Sequence, residues 1–191
     1  MSASPLVNAL VFLINVAFGS YILLLMLRVL LYWTRTGFRE VSAAFIWQVT
    51  DPVVRSAYRW LPMRKNVDFA AIVLMYLLQV LRLSLTFWLY GKGLSVVGLL
   101  LLAVLELTTL LIYTVTVTLI LSAVFSFITP QHGYNPLIPV LNRLNEPLLR
   151  PARRLPHYYQ GMDFSPMIVL ISLQLLTILL IDPLTRVAVH L

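Results

Sequence analysis

The sequence predicts an all-α membrane protein with four transmembrane helices. Hydrophobic residues make up 60% of the 191 residues and charged residues only 11%, whereas a soluble domain carries about 25% charged residues. Four apolar stretches are long enough to cross a bilayer core of about 30 Å, which needs roughly 20 helical residues. One polar pattern also occurs twice, each time between two of these stretches. These observations predict a two-helix membrane unit present in two copies.

The apolar stretches run over Leu6 to Tyr32, Phe69 to Tyr90, Leu94 to Phe127, and Phe164 to Leu184. Asp182-Pro183 makes the fourth span the weakest, because it interrupts that stretch near its end. The third stretch is longer than one crossing requires. Its first residues, 94–101, have no partner in the first repeat, so they form either a lead-in helix on the outer surface or a protruding turn.

The repeat divides the chain into two predicted domains. The first covers 1–93, with spans at about 6–32 and 69–90 and a basic segment over 34–68. The second covers 94–191, with spans at about 102–127 and 164–184 and a basic segment over 130–163.

The distribution of charge predicts the orientation. Ten of the 14 Lys and Arg residues lie in the two basic segments, which a four-span topology places on one side. By the positive-inside rule that side is cytoplasmic, and both termini are periplasmic. Each repeat contributes two spans, so both copies enter the membrane in the same orientation. We therefore expect a pseudo-twofold axis along the membrane normal.

The repeated pattern begins with an acidic residue followed by proline: Asp51-Pro52 and Glu146-Pro147. The acid is interpreted as a helix N-cap and the proline as the first helical residue, with Asn145 sharing or replacing Glu146. Leu-Pro pairs at 61–62 and 155–156 are expected to end these helices. Apolar residues at helical spacing before each acid predict short amphipathic helices in the cytoplasmic interface.

Two interpretations of this pattern remain open. In the first, the acids only cap helices, including those that follow Asp68 and Asp163, and the arginines anchor the loops to lipid phosphates. In the second, both sets form a two-copy polar site that binds a headgroup, an anion or a partner's tail. The arginines concerned are Arg55, Arg59, Arg150, Arg153 and Arg154, and the acids are Asp51, Asp68, Glu146 and Asp163.

Polar residues also occur inside the predicted spans. Gln79 and Gln174 occupy equivalent positions in the two repeats, which predicts a shared role in bonding to a neighbouring helix. Arg82 lies about 21 Å from the inner end of its span, and we expect it to snorkel outward or to pair with Glu106 on the third span. Arg28 is close enough to the cytoplasmic headgroups to need no special function. Hydroxyl residues of the third span are expected to bond within their own helix.

Several chemistries find no support in the sequence. There is no cysteine, and the three histidines have no second ligand at metal-binding spacing. No phosphate-binding glycine loop, nucleophile elbow or catalytic triad is present. We therefore expect no metal, no cofactor and no enzymatic activity.

The doubled pattern of Asp/Glu-Pro, arginines, Leu-Pro and Asp-Phe resembles the YggT family over nearly the whole chain. The second copy fits closely through Arg153-Arg154 and Gly161 to Pro166, whereas Ser56, Tyr58 and Ala70-Ala71 depart from the pattern in the first. The resemblance implies a bacterial inner-membrane protein without assigned catalytic residues. It also implies a link to cell division and osmotic stress in bacteria, and to cytochrome assembly in plastid relatives.

Two functions are therefore considered. The first is a non-enzymatic scaffold or assembly factor whose paired basic helices bind anionic lipid or a protein partner. The alternative is a small channel or transporter for ion or osmotic homeostasis, acting as a homo-oligomer because four spans enclose little lumen. Nucleic-acid binding is not favoured, because the basic segments carry few aromatic residues.

Overall fold

The computed structural model describes residues 4–34, 41–58, 68–128, 137–153, 158–159, 162–163 and 165–190, with side chains described for all of these except 41–43, 126–128 and the pairs 158–159 and 162–163. In this part of the chain the helices are α1 Pro5–Trp33, α2 Val41–Ala57, α3 Phe69–Leu89, α4 Val96–Ile128, α5 Leu137–Ala152, α6 Ser165–Leu176 and α7 Asp182–His190. A π-helical turn over Thr177–Ile181 joins α6 to α7, and a short antiparallel pair joins β1 Tyr158–Tyr159 to β2 Met162–Asp163.

Four helical stretches are long and apolar enough to cross a membrane: Pro5–Trp33, Phe69–Leu89, Val96–Phe125 and Ser165–His190. They coincide with the four predicted spans. Their outward faces carry many exposed large apolar side chains, which is the surface expected of helices that contact lipid. The prediction of four membrane-spanning helices is confirmed in their number, length and apolar composition.

Side-chain caps start the first three spans. The hydroxyl of Ser4 accepts a hydrogen bond from the amide of Val7, and Pro5 follows as the first helical residue. Asp68 accepts from the amide of Ala71 at 3.1 Å and so begins α3, as predicted. Ser95 does the same for α4, accepting from the amide of Gly98 at 3.0 Å. Each cap satisfies a donor that the first helical turn cannot satisfy itself.

The prediction that Asp51 and Glu146 begin helices is wrong. Pro52 and Pro147 lie inside α2 and α5, each of which continues through the acid-proline pair. A proline removes one backbone hydrogen bond and crowds the preceding turn. Packing on both sides of the proline offsets that loss, since α5 buries residues before and after it: Val140, Leu141, Leu144, Leu149 and Ala152.

The described ends of these helices also differ from the prediction. The helix α2 ends at Ala57 and α5 at Ala152, before the Leu-Pro pairs, which lie outside the described residues. Asn145, expected to act as a cap, lies fully buried in the middle of α5. In each half, the segment before the acid-proline pair and the segment after it therefore form one continuous helix. That helix lacks only the backbone hydrogen bond that a proline cannot donate.

The lead-in residues of the third span form neither a separate helix nor a turn. From Val96 onward they are the first turns of α4. The 33 residues of α4 correspond to a length of about 50 Å. The early turns of α4 pack against α7, where Ala103 and Ala188 are both fully buried.

The interruption at Asp182-Pro183 does not end the fourth span. The amide of Asp182 donates to the carbonyl of Thr177 through the wider π turn, and α7 continues from Asp182. Proline has no amide to donate and clashes with the carbonyl one turn earlier. A π turn accommodates that clash. As a result, α7 stays packed against α4.

Gly98 is expected to be intolerant of any side chain. A Cβ at this position would lie 2.6 Å from the carbonyl oxygen of Ala188, whereas one at Gly93 would meet nothing within 4 Å. Overpacking of this kind costs about 1–3 kcal/mol. Gly98→Ala should therefore lower the thermal unfolding midpoint of the detergent-purified protein, while Gly93→Ala leaves it unchanged. Equal midpoints for the two variants would contradict the close packing of α4 on α7.

Candidate functional site

A buried arginine joins the first three helices. Arg28 of α1 is 1% exposed. Its Nε donates to Asp68 Oδ2 at 3.0 Å, and its Nη1 donates to Asp51 Oδ1 at 2.7 Å and to Thr50 Oγ1 at 2.8 Å. These contacts connect the end of α1 to the middle of α2 and to the start of α3. We call these residues, with Tyr58, the Arg28 cluster.

Two aromatic side chains complete the surroundings of this guanidinium. Arg28 Nη2 donates to the hydroxyl of Tyr58 at 3.0 Å, and that hydroxyl donates to Asp68 Oδ2 at 2.8 Å. The ring of Trp47 lies 4.3 Å from the guanidinium carbon, a cation–π distance. Burial and the hydrogen bond to Asp68 raise the pKa of Tyr58 to about 12, so the phenol remains a proton donor at physiological pH.

The expectation that Arg28 reaches the lipid headgroups is therefore wrong. Two carboxylates, one of them fully buried, bind the guanidinium inside the protein. One arginine against two acids leaves a formal charge of −1, and Asp68 lies at the N-terminus of α3, where the helix dipole favours a carboxylate. The cluster has a structural role, because it links three helices. Its carboxylates are those of Asp51 and Asp68, which were predicted to contribute to a polar site at the surface.

The second repeat lacks this cluster. The offset that pairs Asp51 with Glu146 places Ala123 at the position of Arg28. It also pairs Thr50 with Asn145. Asn145 Oδ1 accepts from the hydroxyl of Thr118 at 2.8 Å, and its Nδ2 donates to the Thr118 carbonyl at 3.1 Å. A neutral, paired contact between α4 and α5 thus stands where the first repeat has an ion cluster.

Glu146, the counterpart of Asp51, pairs with exposed arginines instead. It lies 3.4 Å from Arg153 and 3.8 Å from Arg150. The side chains of these two arginines are 46% and 73% exposed, and exposed pairs of this kind contribute little to stability. Both arginines therefore lie at the surface of the protein.

We call the exposed arginines of α2, α5 and the turn after α5 the basic surface. Its members are Arg55, Arg143, Arg150 and Arg153. Arg55 makes no ion pair with any described residue. Arg59 and Arg154, predicted to belong to the same surface, lie outside the described residues, as does the side chain of Asp163.

A second polar group lies inside the membrane region. Glu106 of α4 forms an ion pair with Arg82 of α3. The same carboxylate oxygen accepts from Gln79 Nε2 at 2.5 Å, and Gln79 is buried. Two positions were predicted for the Arg82 side chain, one paired with Glu106 and one snorkelling outward, and the structure shows the pair.

Gln174 does not repeat the role of Gln79. Its side chain is exposed and makes no hydrogen bond to the described part of the chain. The repeat offset explains the difference, since it pairs Glu106 with Val11. The first span therefore offers no carboxylate at the position opposite Gln174, and the equivalence of Gln174 with Gln79 is one of sequence position only.

Hydroxyl groups of α4 mostly bond within the helix, as predicted. Thr108, Thr109 and Thr114 donate to carbonyls four residues earlier, at 2.7–2.9 Å. Thr118 and Ser122 also donate to asparagines of α5. These contacts hold α5 against α4 and do not outline a water path.

A cavity of about 390 Å³ adjoins the Arg82–Glu106 pair. Its lining includes Gly19 of α1, and Asp182 and Thr185 of α7, besides the pair itself. We call it the Arg82 cavity. Asp182 was not among the predicted site residues, because the sequence indicated only that Asp182-Pro183 interrupts the fourth span. An acid next to a proline inside an apolar run was the signal that could have placed it in a site.

With this geometry in view, comparison with known proteins identifies the family. The profile of the CCB3/YggT family matches residues 7–89 and again 101–184. The chain belongs to the CCB3/YggT family. The two matches cover the two predicted repeats, so the resemblance noted from the sequence is confirmed.

The relatives of this family member are bacterial. YggT of Escherichia coli is 32% identical over 87% of this chain and 86% of its own length. An uncharacterized protein of Pseudomonas aeruginosa is 30% identical over 92% and 89%, and one of Haemophilus influenzae is 33% identical over 84% of both chains. No solved structure matches. Family membership and the four apolar helices together describe a multi-pass membrane protein of bacteria.

These relatives are themselves described as uncharacterized, so they assign no activity to this YggT-family chain. Within the described residues, no group of three His, Cys, Asp or Glu residues is placed to hold a metal ion. In the described part of the chain, the features left to carry a function are the basic surface and the Arg82 cavity.

Proposed function

We propose that this YggT-family protein is a non-enzymatic scaffold of the bacterial inner membrane that binds anionic phospholipid through the basic surface. The observation that supports it most directly is the exposure of Arg150 and Arg153, which remain at the surface although both pair with Glu146. Arg143 of the same helix is also exposed. Each basic residue near an anionic leaflet contributes about 1 kcal/mol of attraction.

The helices that carry these arginines suit the membrane interface. On α2, Phe45 and Val53 are 64% and 43% exposed, and Arg55 is exposed on the same helix. Apolar and basic side chains exposed together are typical of a helix that lies in the headgroup region. Asp51, the acid nearest to Arg55, binds Arg28 instead. The basic character of the surface therefore depends on the Arg28 cluster.

An apolar groove offers room for an acyl chain beside this surface. Its volume is about 460 Å³, and it lies between α1 and α4, with Leu27 and Val117 among its lining residues. At one end it reaches Leu137 and Leu141 of α5, the helix that carries Arg143 and Arg150. A phospholipid could place its acyl chain in this groove and its phosphate on the arginines.

The proposal includes the orientation of the protein in the membrane. The basic segments face the cytoplasm by the positive-inside rule, and both termini face the periplasm. The two repeats then enter the membrane in the same direction, and both interfacial helices meet the cytoplasmic leaflet. A protein partner with an acidic segment is the other occupant that this surface would accept.

The test compares lipid affinity between charge-neutralised variants. Full-length protein is placed in phosphatidylcholine nanodiscs, and binding of fluorescent phosphatidylglycerol is measured. Arg143→Gln, Arg150→Gln and Arg153→Gln combined should weaken binding at least about tenfold and flatten its dependence on salt.

The matched control neutralises Lys92 and Arg186, which are exposed and belong to the opposite end of the bundle. This double glutamine variant should bind phosphatidylglycerol like the unmodified protein. Unchanged affinity in the triple variant would overturn the proposal. Loss of a crosslinked acidic protein in that variant, with lipid affinity unchanged, would favour the partner.

A second candidate function is a small oligomeric channel or transporter that contributes to ion and osmotic homeostasis. The observation that favours it is the Arg82 cavity, which gathers ionisable groups inside the membrane region beside the π turn of the fourth span. The test is solute and ion flux through reconstituted protein. Absence of flux under every applied gradient would exclude this function.

A further inference from the structure

The Arg82 cavity contains polar groups that the protein leaves without partners. Arg82 uses Nη2 for its pair with Glu106, whereas its Nη1, which lies near Gly19 of the cavity lining, donates to no described residue. Across the same cavity, the carboxylate of Asp182 forms no ion pair within the described ranges. Arg82 therefore has a donor at the cavity without an acceptor among the described residues.

The charges of the lining residues restrict what could supply that acceptor. Arg82 and Glu106 neutralise each other, and Asp182 leaves a formal charge of −1. A simple anion would satisfy Arg82 but face two carboxylates. A simple cation would satisfy Asp182 but leave Nη1 of Arg82 without an acceptor. A molecule that carries both charges meets both requirements.

We propose that the Arg82 cavity binds a small zwitterionic group, with its oxyanion on Arg82 and its ammonium on Asp182. The volume of about 390 Å³ lies within the usual range for ligand sites of roughly 300–1,000 Å³. Gly19 contributes to this space, because a Cβ there would lie 3.8 Å from Arg82 Nη1. A free amino acid and the headgroup of phosphatidylethanolamine share the required chemistry. The site is independent of the basic surface.

The first arm of the test uses free zwitterions. Full-length protein in phosphatidylglycerol nanodiscs is unfolded thermally and followed by tryptophan fluorescence, with glycine, β-alanine or γ-aminobutyrate added. Because a ligand that binds only the folded state raises its stability, at least one of these should raise the midpoint by about 2 °C or more. Acetate and methylammonium at the same concentration should not.

The second arm uses the lipid headgroup. Protein is reconstituted in mixed phosphatidylethanolamine and phosphatidylglycerol, and the lipid retained after detergent extraction is measured by mass spectrometry. Retention of phosphatidylethanolamine above its share in the mixture would assign the zwitterion to the headgroup.

Asp182→Asn should abolish the effect in whichever arm shows it. Since Asp182 is exposed and forms no ion pair within the described ranges, this variant should fold. Arg82→Lys keeps the charge but loses the Nη1 donor, and should weaken binding at least about tenfold. Glu146→Gln and the triple glutamine variant of the basic surface should retain the effect. The proposal is overturned if neither arm shows a zwitterion preference, or if Asp182→Asn leaves that preference intact.

Discussion

Replacing Arg28 with methionine is expected to lower the free energy of unfolding by about 3–5 kcal/mol. The substitution preserves much of the side-chain length but removes the partner of Asp68, which is fully buried, and of Thr50. A buried carboxylate left without its counter-charge is among the most destabilising changes in a protein interior. The expected observation is a large drop in the thermal unfolding midpoint in detergent, together with poor accumulation in cells.

The control for this prediction is Arg55→Met on α2. Arg55 is exposed and pairs with no acid in the described part of the chain, so its removal should change stability by less than about 0.5 kcal/mol. Combining Arg28→Met with Asp51→Asn and Asp68→Asn should recover part of the loss, because the unpaired charges are then removed as well. Equal effects of Arg28→Met and Arg55→Met would contradict the buried cluster.

Glu106→Leu is expected to produce the second largest loss. It removes the carboxylate that binds both Arg82 and Gln79, and leaves an arginine unpaired within a membrane span. Placing such a charge near the centre of a membrane helix costs about 2.5–3.5 kcal/mol on insertion scales. The measurement is the SDS concentration at which half of the protein unfolds in mixed micelles.

The Glu106→Leu variant can be separated from a simple packing defect. Adding Arg82→Met to it removes the unpaired charge and should restore most of the stability. Glu146→Leu is the matched control: in the described part of the chain this carboxylate pairs with exposed arginines, so its removal should cost less than about 1 kcal/mol. Failure of Arg82→Met to rescue Glu106→Leu would contradict the proposed role of the pair.

Capping and long apolar runs were predictable because they depend on neighbours in sequence. Asp68 could be assigned as the cap of α3, since a carboxylate followed by an apolar helix has few other local uses. The same logic failed at Asp51 and Glu146. There the choice between starting a helix and continuing one depended on whether residues on both sides of the proline would be buried, and burial is a tertiary property.

The two repeats show the limit of inference by equivalence. Gln79 and Gln174 match in sequence, yet only Gln79 has an acceptor, because Glu106 has no counterpart in the first span. Asp51 and Glu146 also match, but Asp51 pairs with the buried Arg28 and Glu146 with exposed arginines. The two copies of the motif therefore lie in different environments, because the residues around them differ.

The sequence by itself determined that this is a four-span, duplicated membrane protein of the YggT family with two basic segments. The spans and the basic segments follow from hydropathy, helix length and charge, and the duplication and the family resemblance follow from the repeated motif. Only the tertiary structure decided which acids remain exposed, that Arg28 is buried among three helices, and that Asp182 lines a cavity with Arg82. Those outcomes depend on distances between residues on separate helices, which packing alone determines.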